Sequence, residues 1–160
     1  MLNVTLLCVG KLKEQYWRDA CAEYEKRLGA FCRLQITEVA EERLPDAPSA
    51  AQIAATVEAE GARLLAKMPR EGAAVALCIE GKTCDSAALA ARLEKLTVGG
   101  TSHLTVLIGG SYGLSEAVKS RADFRLSFSP MTFPHQLARV MALEQLYRVF
   151  QISSGGKYHK

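Results

Sequence analysis

The feature that most constrains this chain is a regular alternation of short apolar runs with stretches of helical spacing. Residues 2–9 form a run rich in Val and Leu that ends at Gly10. From 14 to 28, Tyr16, Trp17, Ala20, Cys21, Tyr24 and Leu28 recur at helical spacing until Gly29, as one buried helix face requires. Residues 33–39 instead alternate with period two, which predicts a half-exposed strand at a sheet edge. Pro45, Asp46, Pro48 and Ser49 mark a loop, and a helix over 50–68 follows, stopping at Met68-Pro69. Ala73 to Ile79 is a continuous apolar run, of the length and composition of a parallel strand buried on both faces. Gly81-Lys82 turns the chain, Asp85 or Ser86 can cap a helix reaching Leu96, and Gly99-Gly100 punctuates it. A further buried strand spans 104–108, and the glycine-rich turn 109–113 opens a short helix over 114–120. The last strand is expected at 124–128, and Pro134 starts a long helix to Ile152, since proline is tolerated in a first helical turn. Strands alternating with helices predict an α/β fold with a mainly parallel sheet. The 160 residues suit a single domain, and the loop at 40–49 is too short to separate two.

Composition narrows the function. The chain is 49% hydrophobic and 23% charged, an ordinary globular balance. No stretch approaches the roughly 18 consecutive apolar residues of a membrane helix. No basic region precedes the apolar run at 2–8, so no secretory leader is expected. The five cysteines, Cys8, Cys21, Cys32, Cys78 and Cys84, form no C-x-x-C pair. They read as reduced thiols of a cytoplasmic protein rather than as nucleophiles or zinc ligands. Net charge is +3, but residues 1–120 sum to −1 and residues 121–160 to +4. Arg121, Arg125, Arg139, Arg148, Lys157 and Lys160 there outnumber Asp123 and Glu144. Such a cationic quarter fits an anionic partner such as nucleic acid, or is simply a solvated helix face with a basic tail.

Two segments following expected strands could carry chemistry. Glycines in Ile108-Gly109-Gly110-Ser111-Tyr112-Gly113-Leu114 would let a ligand approach the backbone at a strand's carboxyl end, where open α/β sheets bind ligands. A tight strand-to-helix turn without a ligand is the other reading. The spacing is neither G-x-G-x-x-G nor a P-loop. The second segment, Leu126 to Gln136, has two prolines and is unusually apolar for a loop, with Phe128, Met131 and Phe133. It should be packed, as a pocket wall or as a buttress under the last helix. On that helix His135 and Arg139 share a face, as do Glu144 and Arg148. The terminal Lys157-Tyr158-His159-Lys160 combines a ring, an imidazole and two cations, either a frayed end or a device for stacking on a base and holding phosphate. No His, Asp or Glu cluster has metal-ligand spacing.

The stretches 107–115, 126–136, 144–148 and 158–160 resemble the RlmH family of ribosomal RNA methyltransferases, which are SPOUT proteins. The resemblance covers the length of the chain and is specific over 107–160. It implies a SPOUT fold, with a mainly parallel sheet and a C-terminal trefoil knot, a feature that pattern reasoning alone would have excluded. The implied cofactor is S-adenosyl-L-methionine, bound within a region of about 104–150. Its contacts would be Leu77, Gly109, Phe128, Ser129, Pro130, Met131, Thr132 and Phe133. The implied assembly is a homodimer in which the tail 153–160 of one subunit reaches the other's site. The implied substrate is N3 of a pseudouridine in 23S rRNA on the assembled ribosome.

Methylation at N3 requires loss of a proton, and therefore a base or an anion-stabilising cation. His135, Arg139, Tyr158 and His159 are the catalytic candidates, with Tyr158 and His159 favoured for holding the acceptor. Two other readings compete: a non-catalytic RNA- or ribosome-binding module, and a nucleotide-binding regulator, for which no phosphate cradle is present.

Overall fold

The structure is a computed structural model and describes residues 1–158. Ten elements alternate along the chain: β1 (Leu2–Val9), α1 (Gln15–Leu28), β2 (Cys32–Val39), α2 (Ala50–Lys67), β3 (Ala73–Lys82), α3 (Ser86–Val98), β4 (His103–Ile108), α4 (Glu116–Arg121), β5 (Phe124–Leu126) and α5 (His135–Ser153). The strands form one sheet in the order β2-β1-β4-β3-β5, with every pairing parallel. All the strands' carboxyl ends therefore lie along one edge of the molecule.

Side-chain alternation divides the central strands between two cores. Val4, Leu6 and Cys8 of β1, with Leu104, Val106 and Ile108 of β4, face the layer that includes α1, α3 and α5. Leu7, Val9, Leu107, Ala74 and Ala76 face α2 and α4 on the other side. Coverage of both faces explains why these strands read as continuous apolar runs. The alternating segment at 32–39 forms an edge strand, as its pattern requires.

Several boundaries move for local reasons. Ser115 caps α4 by accepting a hydrogen bond from Val118 N, so that helix begins at Glu116 rather than 114. Ser49 and Gln52 form a reciprocal capping box at the start of α2, and Asp85 Oδ1 accepts Ala88 N at 2.7 Å to start α3. Pro134 stands just outside α5 and is not its first helical residue.

The largest departure lies at the β3–β5 edge. Strand β5 ends at Leu126, two residues early, because Ser127 N leaves the ladder and donates to Lys82 O at 3.1 Å. Strand β3 extends to Lys82, and both Leu77 and Lys82 pair with Leu126. Residues 78–81 thus bulge around the departing chain. The approach is close: a Cβ on Gly81 would lie 2.7 Å from the Leu126 carbonyl carbon. Among the described residues, no helix is long and apolar enough to cross a membrane.

Candidate active site

At the carboxyl ends of β3 and β4 the chain forms a cleft of about 160 Å³. One wall is Leu77, Cys78 and Ile79; the floor is the glycine turn; the remaining wall is the 126–133 segment with His135 and Ala138 of α5. The turn is built by its own closure. Gly113 N donates to Gly110 O at 3.1 Å, and Gly113 has φ of +83°, a conformation L side chains rarely adopt. A Cβ on Gly109 would lie 2.5 Å from the Gly113 carbonyl carbon. Glycine is therefore required at 109 by the turn itself, and the resulting backbone is left open to the cleft.

The apolar loop is ordered by its serines. Ser127 Oγ donates to Ser129 O at 3.0 Å, and Ser129 Oγ accepts Met131 N at 3.0 Å. Phe128 packs against the core, whereas Met131 is 71% exposed at the rim. Of the sequence's cofactor candidates, Leu77, Gly109, Phe128, Ser129, Met131, Thr132 and Phe133 line this one cleft; Pro130 does not.

The catalytic candidates separate. His135 lines the cleft and is half-buried. Burial pushes its imidazole below the ordinary range; Glu41 opposes this and Arg139 adds to it. The ring is therefore neutral at neutral pH and able to accept a proton. Arg139, one turn later, points elsewhere. It is 3% exposed, with Nη1 on Glu38 Oε2 at 2.6 Å and Nη2 on Gly10 O at 3.0 Å. Tyr158 lies along α5, donating to Glu144 Oε2 at 3.0 Å, with its ring edge-on to Tyr147 and under Arg148. Within one chain it is outside the cleft lining. His159 falls outside the described residues.

Sequence reasoning missed a buried acid behind the glycine turn. Glu60 of α2 is 4% exposed, accepts Glu42 N at 3.0 Å, and is held above the usual carboxylate range by burial. A Cβ on Gly110 would lie 3.1 Å from its Oε1, so this buried carboxylate stands against the turn. No local pattern marks it, since its neighbours come from a loop 18 residues away and from the glycine turn. Four of the five thiols are poor nucleophiles: burial pushes Cys8 up to about 12 and Cys32 up to about 11, and it raises Cys21 and Cys78 as well. No group of three or more His, Cys, Asp or Glu among the described residues could hold a metal ion.

A parallel sheet with a glycine turn and an apolar loop meeting at its carboxyl edge is a ligand-binding α/β architecture, and comparison with known proteins identifies its class. Residues 2–159 match the family described as "Predicted SPOUT methyltransferase". The chain is 49% identical to the Ribosomal RNA large subunit methyltransferase H of Bifidobacterium adolescentis, over 99% of this chain and 100% of that protein. It is 47% identical to the enzyme of the same name from Listeria monocytogenes, with the same coverage. A solved structure from Haemophilus influenzae, described as "a probable methylase family protein", matches in fold with a TM-score of 0.54 at 12% identity, covering 99% of this chain and 71% of that one. The chain belongs to the SPOUT methyltransferases and, among them, to the ribosomal RNA large subunit methyltransferase H family.

Proposed function

We propose that the protein transfers the methyl group of S-adenosyl-L-methionine to N3 of a pseudouridine in 23S rRNA on the assembled ribosome, acting as a cytoplasmic homodimer. The observation that carries this reading is the convergence of Leu77, the glycine turn and the 128–133 loop on one cleft in a member of a ribosomal RNA methyltransferase family.

The cleft suits the cofactor. Leu77, Ile79 and Phe133 offer apolar surface to a flat adenine, and the side-chain-free backbone at Gly109 and Gly110 admits close polar contact. Bound there, S-adenosyl-L-methionine would supply a methyl group already activated by its sulfonium. The protein's own task is orientation of the acceptor and removal of one proton from N3. His135 is the neutral imidazole on the cleft wall and can take that proton. Arg139 acts as a positioning residue that ties the start of α5 to Gly10 and Glu38. Tyr158 and His159 are assigned to the acceptor base in the partner's cleft. One domain of 1–160 with a trefoil knot fits the close passage of Ser127 past Lys82 and Gly81.

The deciding experiment offers ribosomes lacking the modification, with free 23S rRNA alongside, and labelled cofactor. Label on a pseudouridine of the intact ribosome is expected. Cofactor binding without label on either substrate would overturn the assigned substrate, and absence of both would reduce the protein to an RNA-binding module.

A further inference from the structure

The cations that look available in the sequence are largely committed in the structure. In the C-terminal quarter Arg125 pairs with Glu116 and Arg148 with Glu144, each at 2.7 Å. Arg139 is buried on Glu38, and Arg121 donates to Arg70 O at 3.1 Å. Lys11 and Lys13, in the acidic part of the chain, are exposed and make no ion pair among the described residues.

These two lysines sit on a braced loop. Arg18 Nη1 donates to Leu12 O at 3.2 Å and Lys13 O at 3.0 Å, and its Nη2 donates to Gln15 Oε1 at 2.8 Å. The guanidinium thus closes the β1–α1 connection against the first turn of α1. On that turn Tyr16 is 64% exposed, and its ring lies 5.0 Å from that of Trp17, tilted by 58°. An exposed tyrosine backed by a half-buried tryptophan, beside two lysines without an ion pair, has the composition of a stacking platform. From 11 to 18 the cations Lys11, Lys13 and Arg18 outnumber the single acid Glu14.

The position is adjacent to the cleft. In the sheet register Cys8 is level with Ile108, and Ile108 with Leu77 of the cleft wall. A Cβ on Gly10, the residue before Lys11, would lie 3.9 Å from His135 Nε2 and 3.5 Å from Glu41 Oε2. The loop therefore leaves β1 beside the residue assigned to proton removal.

We propose that Lys11, Lys13, Tyr16 and Trp17 form a docking surface for an unpaired segment of the substrate RNA, with phosphates on the lysines and a base stacked on Tyr16. The inference rests on the proposed function for the identity of the partner as ribosomal RNA. RNA that presents splayed bases is held by this combination of backbone charge and ring stacking.

The test is binding of the intact protein to ribosomes lacking the modification, read directly rather than through methyl transfer. Lys11→Ala/Lys13→Ala and Tyr16→Ala are compared with wild type and with Lys67→Ala, an exposed lysine at the other end of the sheet. The expected result is about a tenfold or greater weakening for each loop variant, a salt dependence shallower by about two for the double lysine variant, and no change for Lys67→Ala. Cofactor affinity and thermal unfolding should match wild type. Unchanged ribosome affinity and salt slope in the loop variants would overturn the docking surface even if wild type methylates. A Tyr16→Ala protein that binds ribosomes normally but loses its dimer would make this face a contact between copies, and would also overturn it. Wild type that binds ribosomes but transfers no methyl would sink the enzymatic reading alone.

Discussion

Arg139 carries a charge into the interior and satisfies it from β2 and from the residue that follows β1. Glu38 and Gly10 O take Nη1 and Nη2, while Nε has no partner. Removing one member of such a pair costs more than the pair contributes, because an uncompensated charge remains. Glu38→Ala is expected to lose about 3 kcal/mol in urea unfolding, with part recovered in Glu38→Ala/Arg139→Met; a loss of only a few tenths would mean the guanidinium is well solvated. His135 gives a pH signature. Its folded-state titration lies below the ordinary value of about 6.5, because burial outweighs the attraction of Glu41. As pH falls below that value, the unfolded chain takes up a proton that the folded chain refuses, so stability falls. His135→Gln should therefore lose less melting temperature than wild type between pH 7.5 and 5.5. If His135 accepts the N3 proton, the same substitution should cut the methyl-transfer rate with cofactor affinity little changed.

At the scale of elements, the glycine turn and the helix caps make separable contributions. A Cβ at 109 would meet the Gly113 backbone at 2.5 Å and cannot be relieved by a side-chain rotation. Gly109→Ala is expected to open the turn and abolish cofactor binding in calorimetry, while circular dichroism retains the α/β spectrum. Retained affinity would show that the turn is not the cofactor's floor. Ser49→Ala removes half of a capping box outside the cleft lining and should cost about 1 kcal/mol with normal methyl transfer. The bulge at 78–81 and the early end of β5 belong together, since Leu126 is paired twice and Ser127 turns onto Lys82.

For the whole molecule, the assigned role of the tail requires two copies. Tyr158 rests on Glu144, Tyr147 and Arg148 of its own α5, which leaves the cleft of the same chain without it. Deletion of 157–160 is expected to abolish methyl transfer to ribosomes while light scattering still reports a dimer and cofactor still binds. Full activity in the truncated dimer would remove Tyr158 and His159 from the mechanism. The parallel sheet with two covered faces was legible from the chain alone, because runs such as 73–79 and 104–108 state their own burial and the edge strand 33–39 states its exposure. The cleft-lining loop was legible as an apolar segment with too much to hide. What remained hidden depends on partners far apart in sequence. Glu38 and Arg139 are 101 positions apart, and Arg139 and Gly10 are 129 apart. Periodicity and composition are local quantities, so they determined which segments are strands and helices and which are apolar. Only the tertiary structure decided which charges are neutralised, which acid stands behind the glycine turn, and which lysines remain free at the edge of the cleft. Those outcomes follow from distances that the folded sheet brings down to a few ångströms.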